Sequence, residues 1–274
     1  MYADLFNSEG DLVTLFGFEA TYPGWGQANH YFIDRSISPI ARRAGLTPTL
    51  EAALDLYDKE GLAGKVMVAR HYHGIRRNIR LNAWRPAYEP VFEVVQIRGF
   101  CFGVLESILG QGIKMGVVGG TDHAYPPGGN MPYKYANAAT GLWAKAATRE
   151  EVFAALAQRR SYATNGTRMR LFFQMDGHLM GDEYTTTGVP SAHIRAEATP
   201  EICSIELLRD GKPILSQTNC GRKANVEFVD RGVVTGDHYY YVKMVQTEEP
   251  FDNYQGIAVT SAIWVHKTAV HGPE

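Results

Sequence analysis

KMGVVGGTDHAYPPG, residues 114–128, runs from an apolar stretch through a glycine pair to an acid and an imidazole side by side. It reads as a short buried strand that gives way to a loop at Asp122 and His123. An acid and an imidazole at a strand end have chemical value only where other strands deliver partners to the same place, so the reading turns on what precedes them.

Upstream, strand-like and helix-like segments alternate. LVTLFGFEATY (12–22) reads as a buried strand that delivers Glu19 at its end, and Gln27, Asn29 and His30 follow in its loop. TPTLEAALDLYDKEG (47–61) carries Leu50, Ala53, Leu54 and Tyr57 on one helical face and stops at Gly61. GKVMVARHYHG is a strand with His71 and His73 at its end, and PVFEVVQIRG (90–99) one that ends at Arg98. FGVLESILGQG follows as a short helix. TREEVFAALAQRR is the clearest helix, with a capping box formed by Thr148 and Glu151. Strands alternating with helices predict an α/β fold with a parallel sheet or barrel.

Beyond Asn165-Gly166 the texture changes to short alternating strands without helices: RMRLFFQM, SAHIRAEA, SIELLRDGKPIL, ANVEFV, HYYYVKMVQ and IAVTSAIWV. Asp210-Gly211 marks a two-residue hairpin. The expectation is an antiparallel, immunoglobulin-like β-sandwich, giving two domains, 1–164 and 165–274.

The chain has 274 residues, 45% of them hydrophobic, and a net charge of -2. No Lys/Arg-rich run offers a surface for nucleic acid or anionic lipid, so the expected partner is a small-molecule substrate, with neither nucleic acid nor membrane. Cys101, Cys203 and Cys220 are odd in number and widely spaced, which implies reduced thiols rather than a disulfide framework. The start lacks an export signal, and no run of eighteen apolar residues occurs, so the expected compartment is the cytoplasm. An open barrel edge invites pairing with a second copy, hence a homo-oligomer.

In parallel α/β folds, ligands gather at the carboxyl ends of strands. Glu19, His30, His71, His73, Asp122 and His123 are the candidate metal ligands by that rule, with Gln27 and Arg98 as candidate substrate contacts. Imidazole and carboxylate together suit a divalent zinc, manganese or iron ion, which acidifies a water and polarises the bond it attacks. A single strand-end histidine is more often a packing residue; two clusters, each following an apolar run, strengthen the metal reading.

HYHG, PVFEVVQIRG, GIKMGVVGGTDHAYPPG, GLWAKAATREEVFAALAQRRSYATNGTRMRLFF and the late YYYVKMVQ with SAIWV together resemble the PHP metallohydrolases, the polymerase and histidinol phosphatase superfamily, in the branch with a C-terminal β-sandwich. The resemblance spans about residues 12–266. It implies a distorted β/α barrel with a metal cluster at its strand ends and hydrolysis of phosphoesters or other ester-like bonds, with Asp122 and His123 as the catalytic pair. The family's opening strand carries a His-x-His pair, but no histidine precedes His30 here, so the chain is expected to begin inside a partial barrel. The closing motif is usually Asp-x-His, whereas Asp122 and His123 are adjacent. Two readings follow: a divergent metal-dependent hydrolase, or a non-catalytic relative with an eroded metal site that serves as a binding or structural module. A third, weaker one is a sugar platform built from Tyr239, Tyr240, Tyr241 and Trp264, although alternation along a strand sends neighbours to opposite faces.

Overall fold

The computed structural model describes residues 2–23, 26–71, 83–96, 99–122, 138–165, 169–248 and 255–269, and His73, Arg98 and His123 lie outside them. After a short helix α1 (Tyr2–Leu5), β1 (Phe16–Tyr22) turns straight back into β2 (Gly26–Phe32) as an antiparallel pair, with Glu19 opposite Asn29 and Thr21 opposite Gln27. β3 (Val66–Arg70) pairs antiparallel with β2 and parallel with β4 (Val91–Gln96). β4 in turn takes the two-residue β5 (Gly99–Phe100) antiparallel and β6 (Gly116–Gly119) parallel. The result is a mixed six-stranded sheet.

Strand alternation gives this sheet two faces with different fates. Phe16, Ala20, Ala28, His30, Phe32, Val66 and Val68 pack in one core with α2 (Ser38–Ala44) and α3 (Leu50–Lys59). α3 forms there because Leu50, Ala53, Leu54 and Tyr57 make a buried stripe, and the Thr49 side chain caps it by accepting from the Ala52 N–H at 3.1 Å. Glu19, Asn29, Tyr31, Met67 and Ala69, at the alternate positions, belong to the other face.

α4 (Phe102–Gly110) buries Leu105, Ile108 and Leu109 in a further core. Past it, β7 (Ala139–Leu142), α5 (Arg149–Ala157) and β8 (Ser161–Thr164) lead into the second sheet, and α5 starts where the Thr148 side chain accepts from the Glu151 N–H at 3.3 Å. That sheet adds β9 (Arg170–Met175), β10 (His178–Leu179), β11 (Glu183–Thr186), β12 (Ser191–Arg209), β13 (Lys212–Val229), β14 (Gly236–Glu248), β15 (Gln255–Thr260) and β16 (Ile263–Lys267). β12 pairs with β13 on both sides of a gap between Glu197 and Ile202, and with β9 over residues 192–197 before β14 over residues 202–209. Irregular pairing between Glu197 and Ile202 bends the strand at the change of partner. Asp210-Gly211 closes the β12–β13 hairpin with φ of 51° and 75°, the left-handed pair that a two-residue turn requires.

This architecture overturns the predicted α/β fold of a partial β/α barrel followed by an immunoglobulin-like sandwich. Strand outweighs helix among the described residues, and the second part is one curled, mainly antiparallel ten-stranded sheet, a half-barrel, built on strands as long as 19 residues, with β11 alone pairing parallel, to β16. GQANHYF, read as a loop, is a strand because Ala28, His30 and Phe32 alternate into the core. Its hairpin with β1 puts an antiparallel strand where a barrel needs a helical crossover. Tyr240, Tyr241 and Trp264 are buried, so the sugar platform does not form. Among the described residues no helix is long and apolar enough to cross a membrane.

Hydroxyl groups join the two sheets. Ser161 Oγ donates to the Val117 carbonyl at 2.7 Å, Ser261 Oγ accepts from the Val117 N–H at 3.0 Å, and the two hydroxyls lie 3.1 Å apart. One turn on, Thr140 Oγ1 donates to the Gly119 carbonyl at 2.8 Å and accepts from its N–H at 2.9 Å. Gly116 makes this seam possible, because a Cβ there would stand 2.6 Å from Ser261 Oγ and 2.7 Å from the Arg159 Cβ.

Two outcomes follow. Ser261→Ala strands the buried Val117 N–H, and is expected to lower the unfolding free energy by about 1–3 kcal/mol in urea titration; a change below about 0.3 kcal/mol would mean the seam holds without it. His30 is fully buried, its ring nitrogens 2.9 Å from the Tyr22 and Tyr57 hydroxyls, and burial pulls its pKa from 6.5 down to about 3. The unfolded chain then binds the extra proton between those values, so stability due to this site is full above pH 6.5 and drains as pH falls toward 3, by up to about 1.4 kcal/mol per pH unit. His30→Gln should flatten that part of the urea-midpoint profile; an unchanged slope contradicts the assignment.

Candidate metal centre

The side chains on the face turned away from α2 and α3 converge. His71 follows the last residue of β3, where its N–H still bonds the Gln27 carbonyl at 3.0 Å and so keeps the strand's alternation. Glu19 comes from the middle of β1 and Asp122 from just beyond β6, in a left-handed conformation with φ of 51°. One ligand atom from each of these three lies within 4.8 Å of the others.

His71 Nε2 stands 3.9 Å from Glu19 Oε2, and its Nδ1 stands 3.9 Å from Glu93 Oε2. Its side chain is 2% exposed, and neither nitrogen has a hydrogen-bond partner among the described residues. Glu93 is buried as well, and its Oε2 is likewise without one. Each such group costs about 1–3 kcal/mol of lost solvation. Gln27 Nε2 donates to Glu19 Oε1 at 2.6 Å, which leaves Oε2 as the atom turned toward His71.

Charge at this site is lopsided, with three carboxyl groups around one imidazole. Burial, opposed by the Glu19 and Asp122 charges, holds His71 below its ordinary pKa and favours the neutral ring. Burial raises Glu93 to about 8; the charges of Asp122 and Glu19 push the same way, and the nearby Gln96 amide opposes them. Tyr31, on the same face, is pushed up to about 12, mainly by burial and then by Glu93. A neutral imidazole with two carboxylates fits one divalent cation, which would satisfy the orphaned nitrogen and offset the surplus negative charge. A cavity of about 230 Å³ lies alongside, lined by Asn29, Tyr31, Glu93, Val118 and Thr140 among others. Gly120 is close-packed here, since a Cβ on it would meet Glu93 Oε1 at 2.6 Å.

The structure thus brings Glu19, His71 and Asp122 together and places Gln27 against Glu19. It does not bring His30, which points from the opposite face into the tyrosine core and stacks on Phe18 at 4.7 Å between centroids. His73, Arg98 and His123 are outside the described residues. Glu93 was missed by sequence reasoning, although a lone acid between Val91-Phe92 and Val94-Val95 is a signal in itself, because carboxylates rarely sit inside an apolar strand without a partner or a task.

Residues 126–201, less than half of the chain, match the family model described as a protein of unknown function (DUF3604). No curated protein matches the chain. Among solved structures, a two-domain protein from Bacteroides vulgatus, described as containing a predicted PHP-like metal-dependent phosphoesterase, aligns at 13% identity over 90% of this chain and 74% of that one, with a TM-score of 0.43. The fibronectin(III)-like modules of Clostridium thermocellum CbhA align at 15% identity over 36% of this chain and 99% of theirs, with a TM-score of 0.23. Neither likeness is close enough to define the chemistry of this chain.

In chelator-treated protein, Glu93 carries a pKa of about 8 against 4.5 unfolded, so its contribution is full below pH 4.5 and is lost as pH rises through 8. Glu93→Gln should therefore gain stability relative to the parent as pH increases over that interval. A difference between the two urea midpoints that stays constant from pH 5 to 9 would refute the buried, proton-holding carboxyl.

Proposed function

We propose that Glu19, His71 and Asp122 bind one divalent zinc, manganese or iron ion, and that the protein is a hydrolase of phosphoester or other ester-like bonds in small-molecule substrates. The convergence of those three ligand atoms around a buried imidazole with no hydrogen-bond partner among the described residues supports the reading. When bound, the ion supplies an acidified water and Lewis acidity toward the ester oxygen.

The chain's own residues set the stage. Gln27 fixes the Glu19 carboxylate by its 2.6 Å bond. Glu93, behind the other nitrogen of His71, sits where a carboxyl fixes the tautomer and orientation of a ligating histidine. Catalytic proton transfer belongs, in this reading, to Asp122 and His123.

Protein purified without chelator is expected to carry close to one equivalent of metal, and to hydrolyse p-nitrophenyl phosphate or a p-nitrophenyl ester in a manner that EDTA abolishes and manganese or zinc restores. His71→Ala should lose both metal and turnover by more than about tenfold, and Glu93→Gln should weaken metal affinity by about 10–100-fold. Metal retained without turnover on either substrate class removes the hydrolase reading and leaves an ion-binding module. Metal below about a tenth of an equivalent removes both.

A further inference from the structure

Cys203 on β12 and Cys220 on β13 face each other across the hairpin. Ile202 pairs with Gly221 and Ser204 with Thr218, so the single residue Cys203 lies opposite the two residues Asn219 and Cys220. Two residues against one is a β-bulge, and the left-handed φ values of Asn219 (54°) and Gly221 (66°) fall on either side of Cys220. Both are free cysteines and half-buried. Neighbouring strands of a sheet lie about 4.7–4.9 Å apart, so residues that face each other across the bulge come within the range of about 4.4–6.8 Å between Cα atoms that a disulfide spans. The thiols also sense each other, since burial and, after it, the charge of Cys203 raise the Cys220 pKa. Cys101 is apart from them, buried in another core with its thiol donating to the Val94 carbonyl at 3.2 Å.

We infer that Cys203 and Cys220 form a redox modification site, a thiol pair that a small-molecule disulfide such as oxidised glutathione converts to a cross-strand disulfide. One thiolate, having lost its proton to solvent, attacks a sulfur of glutathione disulfide, forming a mixed disulfide and expelling one glutathione thiolate. The second protein thiolate attacks the mixed disulfide at the protein sulfur, forming the Cys203–Cys220 bond and expelling the second glutathione. Two protein thiols are oxidised and one glutathione disulfide is reduced to two thiols. The product ties β12 to β13 at the bend where β12 changes partners.

The test is to incubate the full chain with oxidised glutathione at pH 8, block remaining thiols and map peptides without reduction. The expected result is a Cys203–Cys220 cross-linked peptide, a fall from three reactive thiols under denaturing conditions to one, a mass loss of about 2 Da, and reversal by dithiothreitol. The thermal midpoint of the oxidised form should rise by about 5 °C. Cys101→Ser keeps the cross-link, whereas Cys203→Ser or Cys220→Ser leaves at most a glutathione adduct on the remaining cysteine. Adducts without the internal bond, disulfide-linked dimers, or thiols unchanged in the parent protein each overturn the inference, and the parent's peptide map decides this even if a variant misfolds.

Discussion

The close approach of β6 to β8 governs what surrounds it. Backbone pairing does not join these strands; three hydroxyls, from Ser161, Ser261 and Thr140, take up the Val117 and Gly119 groups that a neighbouring strand would otherwise satisfy. Hydroxyls suit this role because each donates and accepts, so one oxygen can answer a carbonyl and an N–H together. Gly116 and Gly119 allow the second sheet to come so near: added Cβ atoms would fall 2.6 Å from Ser261 Oγ and 2.7 Å from the Ala139 carbonyl, respectively. The seam therefore fixes where β6 ends and, three residues past Gly119, where Asp122 stands.

The first sheet separates two chemically distinct histidines by parity. His30 and His71 are both nearly inaccessible, yet His30 has two tyrosine hydroxyls at its nitrogens and aromatic rings around it, while His71 has carboxyl oxygens at 3.9 Å and no hydrogen bond among the described residues. A fully satisfied imidazole is a core element; one that lies among acids with no hydrogen bond among the described residues is what the metal-binding proposal rests on. The same alternation that sends Phe16, Ala20 and Ala28 toward the helices sends Glu19 to His71.

Much of the local structure is legible in the sequence, because turn and helix signals are local: the Leu50–Tyr57 stripe, the Thr148 cap and the Asp210-Gly211 turn are all where the residues place them. What escaped is non-local. GQANHYF has only a weak alternation of its own and becomes a strand through its partners on both sides, β1 and β3. With that segment read as a loop, the parity that separates His30 from the site is invisible. Glu93 is hidden for the opposite reason: its strand is legible, but it sits inside the apolar run rather than at the strand end where ligands are expected. In the second sheet, SAHIRAEA and SIELLRDGKPIL read as separate strands, whereas β12 runs through both, across the irregular stretch where cross-strand pairing lapses.

Because β12 lies along β9 in its first part and β14 in its second, with β13 on its far side in both, it acts as a common ruler for the half-barrel. Slippage of either neighbour by one residue would turn buried side chains outward on a strand whose other portion is already locked, so the alignment of one half constrains that of the other. Proofreading of register is thereby built into a single length of chain for β9, β13 and β14, the three strands that β12 touches.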